Sequence, residues 1–188
     1  MSSNNNRFSD RRFITSVVDL RNLLKQCSKC YKLTENANFI FPIESLDGVY
    51  VPANKEKKSF LIVNIKTGKS GSVDDETIGH WIGLACYLTN KQCVIIDPGN
   101  RYRDYPDVMT QLQNFCKLNK LEMFNYATQF QQNSSFICGQ LCAFFCAKVH
   151  WLSFSELLAF RSMIRSYSIR FNEENMMSYV QKHFKITF

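Results

Sequence analysis

The chain lacks the marks of a membrane-spanning or secreted protein. No stretch approaches the roughly 20 uninterrupted apolar residues of a membrane span. The longest candidate, Phe136–Val149, is short and carries Cys, Gln and Lys. The segment Met1 to Asp10 is polar and holds no apolar signal core, so secretion is not expected. No internal repeat is present and nothing marks a second domain. Cys27 and Cys30 have the spacing of half a zinc site or a redox pair, but no second Cys/His pair at ligand spacing lies nearby, so no metal is expected. No basic helix or aromatic-basic repeat stands out either. The net charge of +7 is instead spread along the chain, and a pI near 9.0 leaves encounters with DNA or another polyanion open.

What is present is material for a core. Hydrophobic residues make up 45% of the chain, including 16 Phe, 8 Tyr and 2 Trp, which excludes global disorder. The eight cysteines do not read as a disulfide scaffold. Cys86 and Cys93 sit in apolar strand-like runs and Cys142 and Cys146 in a helix-like run, where a free thiol behaves as a small hydrophobe. The ladder Cys138, Cys142, Cys146 and His150 resembles a metal face, yet an apolar helix packing thiols into a core accounts for it better. The sequon Asn133-Ser134-Ser135 would place a glycan beside Cys138 in a secreted chain, which again favours a reducing interior.

Residues 1–12 read as a flexible basic arm and 13–188 as a single domain. Apolar spacing predicts a helix from Ile14 to Gln26, and Ser59 to Ile65 is a β-rich run. Gly68–Asp75 is a polar loop. His80 to Leu88 alternates, placing Ile82, Leu84, Cys86 and Leu88 on one face. Gln92 to Asp97 follows after Thr89-Asn90-Lys91, short enough for an antiparallel hairpin, and Pro98-Gly99 ends it. A helix over Asp107 to Leu118 and a strand over Leu121 to Thr128 come next. Cys138 to His150 predicts a buried helix, Ser153-Phe-Ser-Glu156 a capping box opening another, and Asn172-Glu-Glu a cap for the last. The fold class is therefore α+β, with a small, mainly antiparallel sheet flanked by helices.

Three local signals carry chemistry. His80 stands at the entrance of a strand. Asp97 ends the next strand, and the hairpin sets the two side by side. A carboxylate there would orient the imidazole and stabilise its charged form. Cys138 opens the buried helix, where the macrodipole and unsatisfied N–H groups favour thiolate. Gly139 lets a substrate carbonyl approach the backbone. A glutamine a few residues upstream, together with the Cys138 N–H, would supply oxyanion donors. The pattern predicts nucleophilic catalysis by a thiolate–imidazolium pair.

Several segments together resemble the adenovirus-type maturation proteases and, more distantly, the SUMO-specific proteases that share their fold. They are Leu61-Ile-Val-Asn64, Gly79-His-Trp-Ile82, Val94-Ile-Ile-Asp-Pro-Gly99, Gln131-Gln132 and Cys138-Gly-Gln-Leu-Cys142. The tail from Arg170 to Phe184 is similar to the final helix of the adenoviral enzymes. The resemblance implies a cysteine endopeptidase with Cys138 as nucleophile, His80 as general base and acid, Asp97 in a position where glutamate is common, and Trp81 packed beside the histidine. For the oxyanion glutamine, SUMO-protease-like spacing selects Gln132 and adenoviral spacing selects Gln131; Gln132 is favoured. The implied substrates are viral or virus-like (transposon) precursor proteins cut during particle maturation, within a virion or the nucleus or cytoplasm of a host cell, by a monomer. No cofactor is required. Stimulation by DNA or by a peptide activator is implied, although Cys116 departs from the spacing to Thr128-Gln129 that a disulfide-linked peptide would need. Two other readings stand beside this one: an isopeptidase acting on SUMO or ubiquitin conjugates, and a protease-derived, non-catalytic nucleic-acid-binding protein.

Overall fold

A computed structural model describes residues 16–27, 40–51, 57–65 and 79–184. The basic arm at 1–12, Cys30 and the Gly/Ser-rich stretch 68–75 lie outside the described residues. Five strands form one sheet in chain order: β1 (Ile40–Pro42), β2 (Lys58–Ile65), β3 (His80–Tyr87), β4 (Gln92–Ile96) and β5 (Glu122–Asn125). The β2–β3 and β3–β4 pairs are antiparallel, whereas β1–β2 and β4–β5 are parallel. The expectation of a mainly antiparallel sheet is thus corrected to a mixed one. The physical reason lies in the connection. Helix α1 (Val17–Gln26) precedes the sheet, and α2 (Pro106–Leu118) crosses from β4 to β5, which returns β5 in the direction of β4. The class is α+β, completed by α3 (Cys138–Trp151), α4 (Phe154–Arg165) and α5 (Ile169–His183).

Both faces of the sheet are covered. Phe60, Ile62, Trp81, Ala85, Tyr87, Val94 and Ile96 pack with α1, α3, α4 and α5. Leu61, Val63, Ile65, Ile82, Leu84, Cys86, Cys93 and Ile95 pack with α2 and the short turn at Ile43–Leu46. That double burial explains why the strands read as near-continuous apolar runs. Helix starts follow local chemistry. Ser16 with Asp19 and Ser153 with Glu156 each form a reciprocal capping box. The expected cap at Asn172 is not one: Ser168 caps α5, and Asn172 lies inside it, donating its amide to the Ile164 carbonyl at 2.8 Å. Asn172 therefore satisfies the orphaned C-terminus of α4 rather than the N-terminus of its own helix.

Helix α3 is the central element, apolar nearly all round and buried along most of its length. Its two ends are tied to the two ends of β3. At the first, the Trp81 backbone N–H meets the Cys138 sulfur at 3.5 Å. At the other, the Tyr87 hydroxyl donates to the Leu152 carbonyl at 3.1 Å. The Lys58 ammonium adds a 3.0 Å bond to the same carbonyl, placing a cation at the negative end of the helix. The helix is thereby held along β3 with Cys138 over the strand's entrance.

Close packing between β2 and β3 makes one glycine indispensable. A Cβ on Gly83 would sit 2.4 Å from Cζ of Phe60, a ring with no exposure. Gly83→Ala is expected to cost about 1–3 kcal/mol of unfolding free energy, the usual scale of core overpacking, measured by urea denaturation. Adding Phe60→Leu, which removes the clashing ring, should make the two changes cost less than their sum.

Candidate active site

The β3–β4 hairpin closes through residues 88–91, with Tyr87 paired to Gln92 and Gly83 to Ile96. This register carries the first residue of β3 to the turn that follows β4. His80 Nε2 lies 2.6 Å from Asp97 Oδ1, with the imidazole about one-fifth exposed and the carboxylate buried. Asp97 also accepts backbone N–H groups from Gly99 (2.9 Å), Arg101 (2.6 Å) and Tyr102 (2.7 Å). Pro98 has no N–H to offer and fixes the start of that turn.

These contacts set the charges. Burial is the largest influence on the His80 imidazole and pulls its pKa down. Asp97 and the Cys138 sulfur together outweigh it and raise the pKa to about 10. Burial likewise pushes Asp97 upward, but the His80 contact and the Tyr102 and Arg101 amides overcome it and hold the carboxyl below its ordinary value. His80 is therefore an imidazolium at neutral pH, with Nε2 committed to Asp97 and the ring also interacting with the Cys138 side chain.

Cys138 is the first residue of α3 and 7% exposed. Its sulfur receives the Trp81 N–H and lies 3.9 Å from the Gly79 carbonyl oxygen. One turn deeper on the same helix, Cys142 has no exposure, and burial pushes its thiol well above the usual range. The two cysteines differ in surroundings, not in kind. Trp81 is fully buried in the core on the α3 side of the sheet, and its carbonyl accepts from Cys142 at 3.5 Å. Gly139 follows Cys138 in the buried first turn of α3.

A cleft of about 320 Å³ opens over this group, lined among others by Gly79, His80, Gly99, Arg101, Tyr105, Gln131, Gln132, Phe136 and Cys138. Both candidate glutamines reach it. The loop carrying them is tied to the Asp97 turn, because the Phe130 and Gln131 N–H groups both donate to the Pro98 carbonyl at 3.1 Å. The Gln131 amide donates to the Ser135 carbonyl at 2.8 Å, and the Gln132 amide to Glu173 at 3.0 Å. Each Nε2 carries two hydrogens, so either glutamine can still donate into the cleft. On its far rim Arg101 donates to Asn133 at 2.9 Å.

His80, Asp97, Cys138, Trp81, Gly139 and the glutamine pair thus lie within one small region. Sequence reasoning missed Ser135 and Glu173, which hold the glutamine loop, and the Trp81 and Tyr102 N–H groups, which no side-chain pattern announces. Tyr105 lines the cleft as well. Among the described residues no group of three or more His, Cys, Asp or Glu could hold a metal ion, and no helix is long and apolar enough to cross a membrane. No protein-family model matches the chain, and no curated protein matches it.

Replacing Asp97 by Asn removes the largest influence that raises the His80 pKa and leaves burial pulling it down. The imidazole should then titrate more than one unit below about 10, read from its ring signals by NMR. In the parent, this group contributes stability in full below its unfolded pKa of about 6.5, and the contribution is lost as pH rises toward 10. That slope should flatten in the Asp97→Asn protein.

Proposed function

We propose that the chain is a cysteine endopeptidase of the adenovirus maturation protease type, with the fold that those enzymes share with the SUMO-specific proteases. The observation that carries this reading is the line Asp97–His80–Cys138 at the mouth of a cleft, with an imidazolium facing a sulfur at a helix N-terminus. A structural histidine has no need of a carboxylate held by three backbone N–H groups, nor of a partly exposed place beside a thiol at the mouth of a cleft.

The geometry supports the following chemistry. The Cys138 thiolate attacks the carbonyl carbon of a peptide bond, and the carbonyl π electrons move to oxygen. The Cys138 N–H and one glutamine amide stabilise that oxyanion. Collapse expels the amine, which takes the Nδ1 proton of His80 and leaves an acyl-enzyme. Neutral His80 then removes a proton from water, whose oxygen attacks the thioester. Release of the carboxylic acid restores thiolate and imidazolium. Asp97 keeps its charge throughout and holds the ring. Substrates of this type are extended segments of precursor proteins, cut as a virus-like particle matures.

The test is cleavage profiling on a peptide library, with and without duplex DNA. The parent is expected to cut. Cys138→Ala should lose at least about 10⁴-fold in kcat/KM, the scale of deleting a nucleophile. An alanine variant that still cuts at the parental rate would sink the proposal. Capture of the parent by a ubiquitin-like suicide probe, without library cleavage, would reassign it to isopeptidase chemistry.

A further inference from the structure

Glu173 sits in the first half of α5, far along the chain from the hairpin, and is fully buried. Its carboxylate reaches across to the loop that precedes Cys138. Oε2 accepts the Gln132 backbone N–H at 2.7 Å and Oε1 accepts the Gln132 side-chain amide at 3.0 Å. The Ser135 hydroxyl lies 2.7 Å from Oε2 and 3.1 Å from the Gln132 carbonyl. A hydroxyl has one proton, and the shorter contact to a carboxylate takes it.

From this arrangement, and resting on the peptidase reading, we infer that Glu173 is a positioning residue for the oxyanion side of the cleft. Packing alone would be served by an apolar side chain, since a buried carboxylate is costly unless donors meet it. Gln132 and Ser135 supply such donors here. Two consequences follow for the glutamines. Gln132 is gripped at both its backbone and its side chain, which fixes the direction of its remaining amide hydrogen. Gln131 is held one step removed, because its amide donates to the carbonyl of the same Ser135 that Glu173 anchors. Whichever glutamine serves the oxyanion, Glu173 sets its geometry. The thiolate–imidazolium pair lies outside this clamp, so the role separates transition-state stabilisation from nucleophile activation.

The experiment compares Glu173→Gln with the parent in the full chain. The amide keeps the shape but replaces one accepting oxygen by a donor, which opposes the Gln132 side-chain amide at the Oε1 position or the Gln132 backbone N–H at the Oε2 position. Expected is a fall in kcat of about 10–100-fold, below the ~10²–10³ of deleting an oxyanion donor outright, with KM within about twofold. The rate and pH profile of Cys138 alkylation by iodoacetamide should stay parental. In a Gln131→Ala/Gln132→Ala background, Glu173→Gln should have no further effect. If Glu173→Gln fails to fold, Ser135→Ala removes the hydroxyl bond to Glu173 and is expected to lower kcat in the same direction, again with parental alkylation. An active parent whose Glu173→Gln variant keeps full kcat overturns the role alone. So does an alkylation rate that falls in step with kcat, or an undiminished effect in the glutamine-free background. A parent inert toward every peptide overturns the peptidase reading and this role with it.

Discussion

A carboxylate almost wholly removed from water must be met by donors, and at the centre of this protein Asp97 makes that demand. Three backbone N–H groups and one imidazole answer it. Meeting the charge forces residues 98–102 into a tight turn, with Asn100 in the left-handed region at φ 53°. The turn then offers the Pro98 carbonyl to Phe130 and Gln131, which anchors the loop leading to α3. One buried charge therefore orients the histidine, shapes the turn and fixes the approach to the cysteine. Placing it without these partners would cost several kcal/mol, so the fold and the site stand or fall on the same contacts.

Helix α3 supplies the other half of the arrangement. Because it is apolar around most of its circumference, it can be buried only if covered on several sides at once. The sheet, α1, α4 and α5 do this together. The ties at its two ends then decide where it sits along β3. Cys138 is located by the packing of the whole core and not by a loop.

How much of this could be read from residues depended on range. His80 and Asp97 belong to one short hairpin, and the turn at 89–91 sets their register, so counting residues brought them together. Cys138 was legible because an apolar run with no breaker after Gly139 marks where the helix opens. The parallel pairing of β5 is set by the helix expected over Asp107 to Leu118, a crossover whose direction no local pattern specifies. Asn172 satisfies the local rule for a helix cap, but Ser168 satisfies it too. The choice between them turned on Ile164, whose carbonyl needed a donor. The surroundings of Gln131 and Gln132 were beyond reach for the same reason. Glu173, the partner of Gln132, is 41 positions away, on an element whose docking no local pattern specifies.

The sheet lists its strands in chain order, and that ordering has a consequence in time. A nascent chain forms the β3–β4 hairpin from neighbours only a few residues apart, an event of microseconds. Residues 138–151 emerge later, and α5 later still. On the peptidase reading, a growing chain holds a base with no nucleophile, then a nucleophile whose oxyanion loop is still unanchored. On that same reading, the oxyanion side of the cleft takes its final geometry only once α5 has docked Glu173 against Gln132 and Ser135.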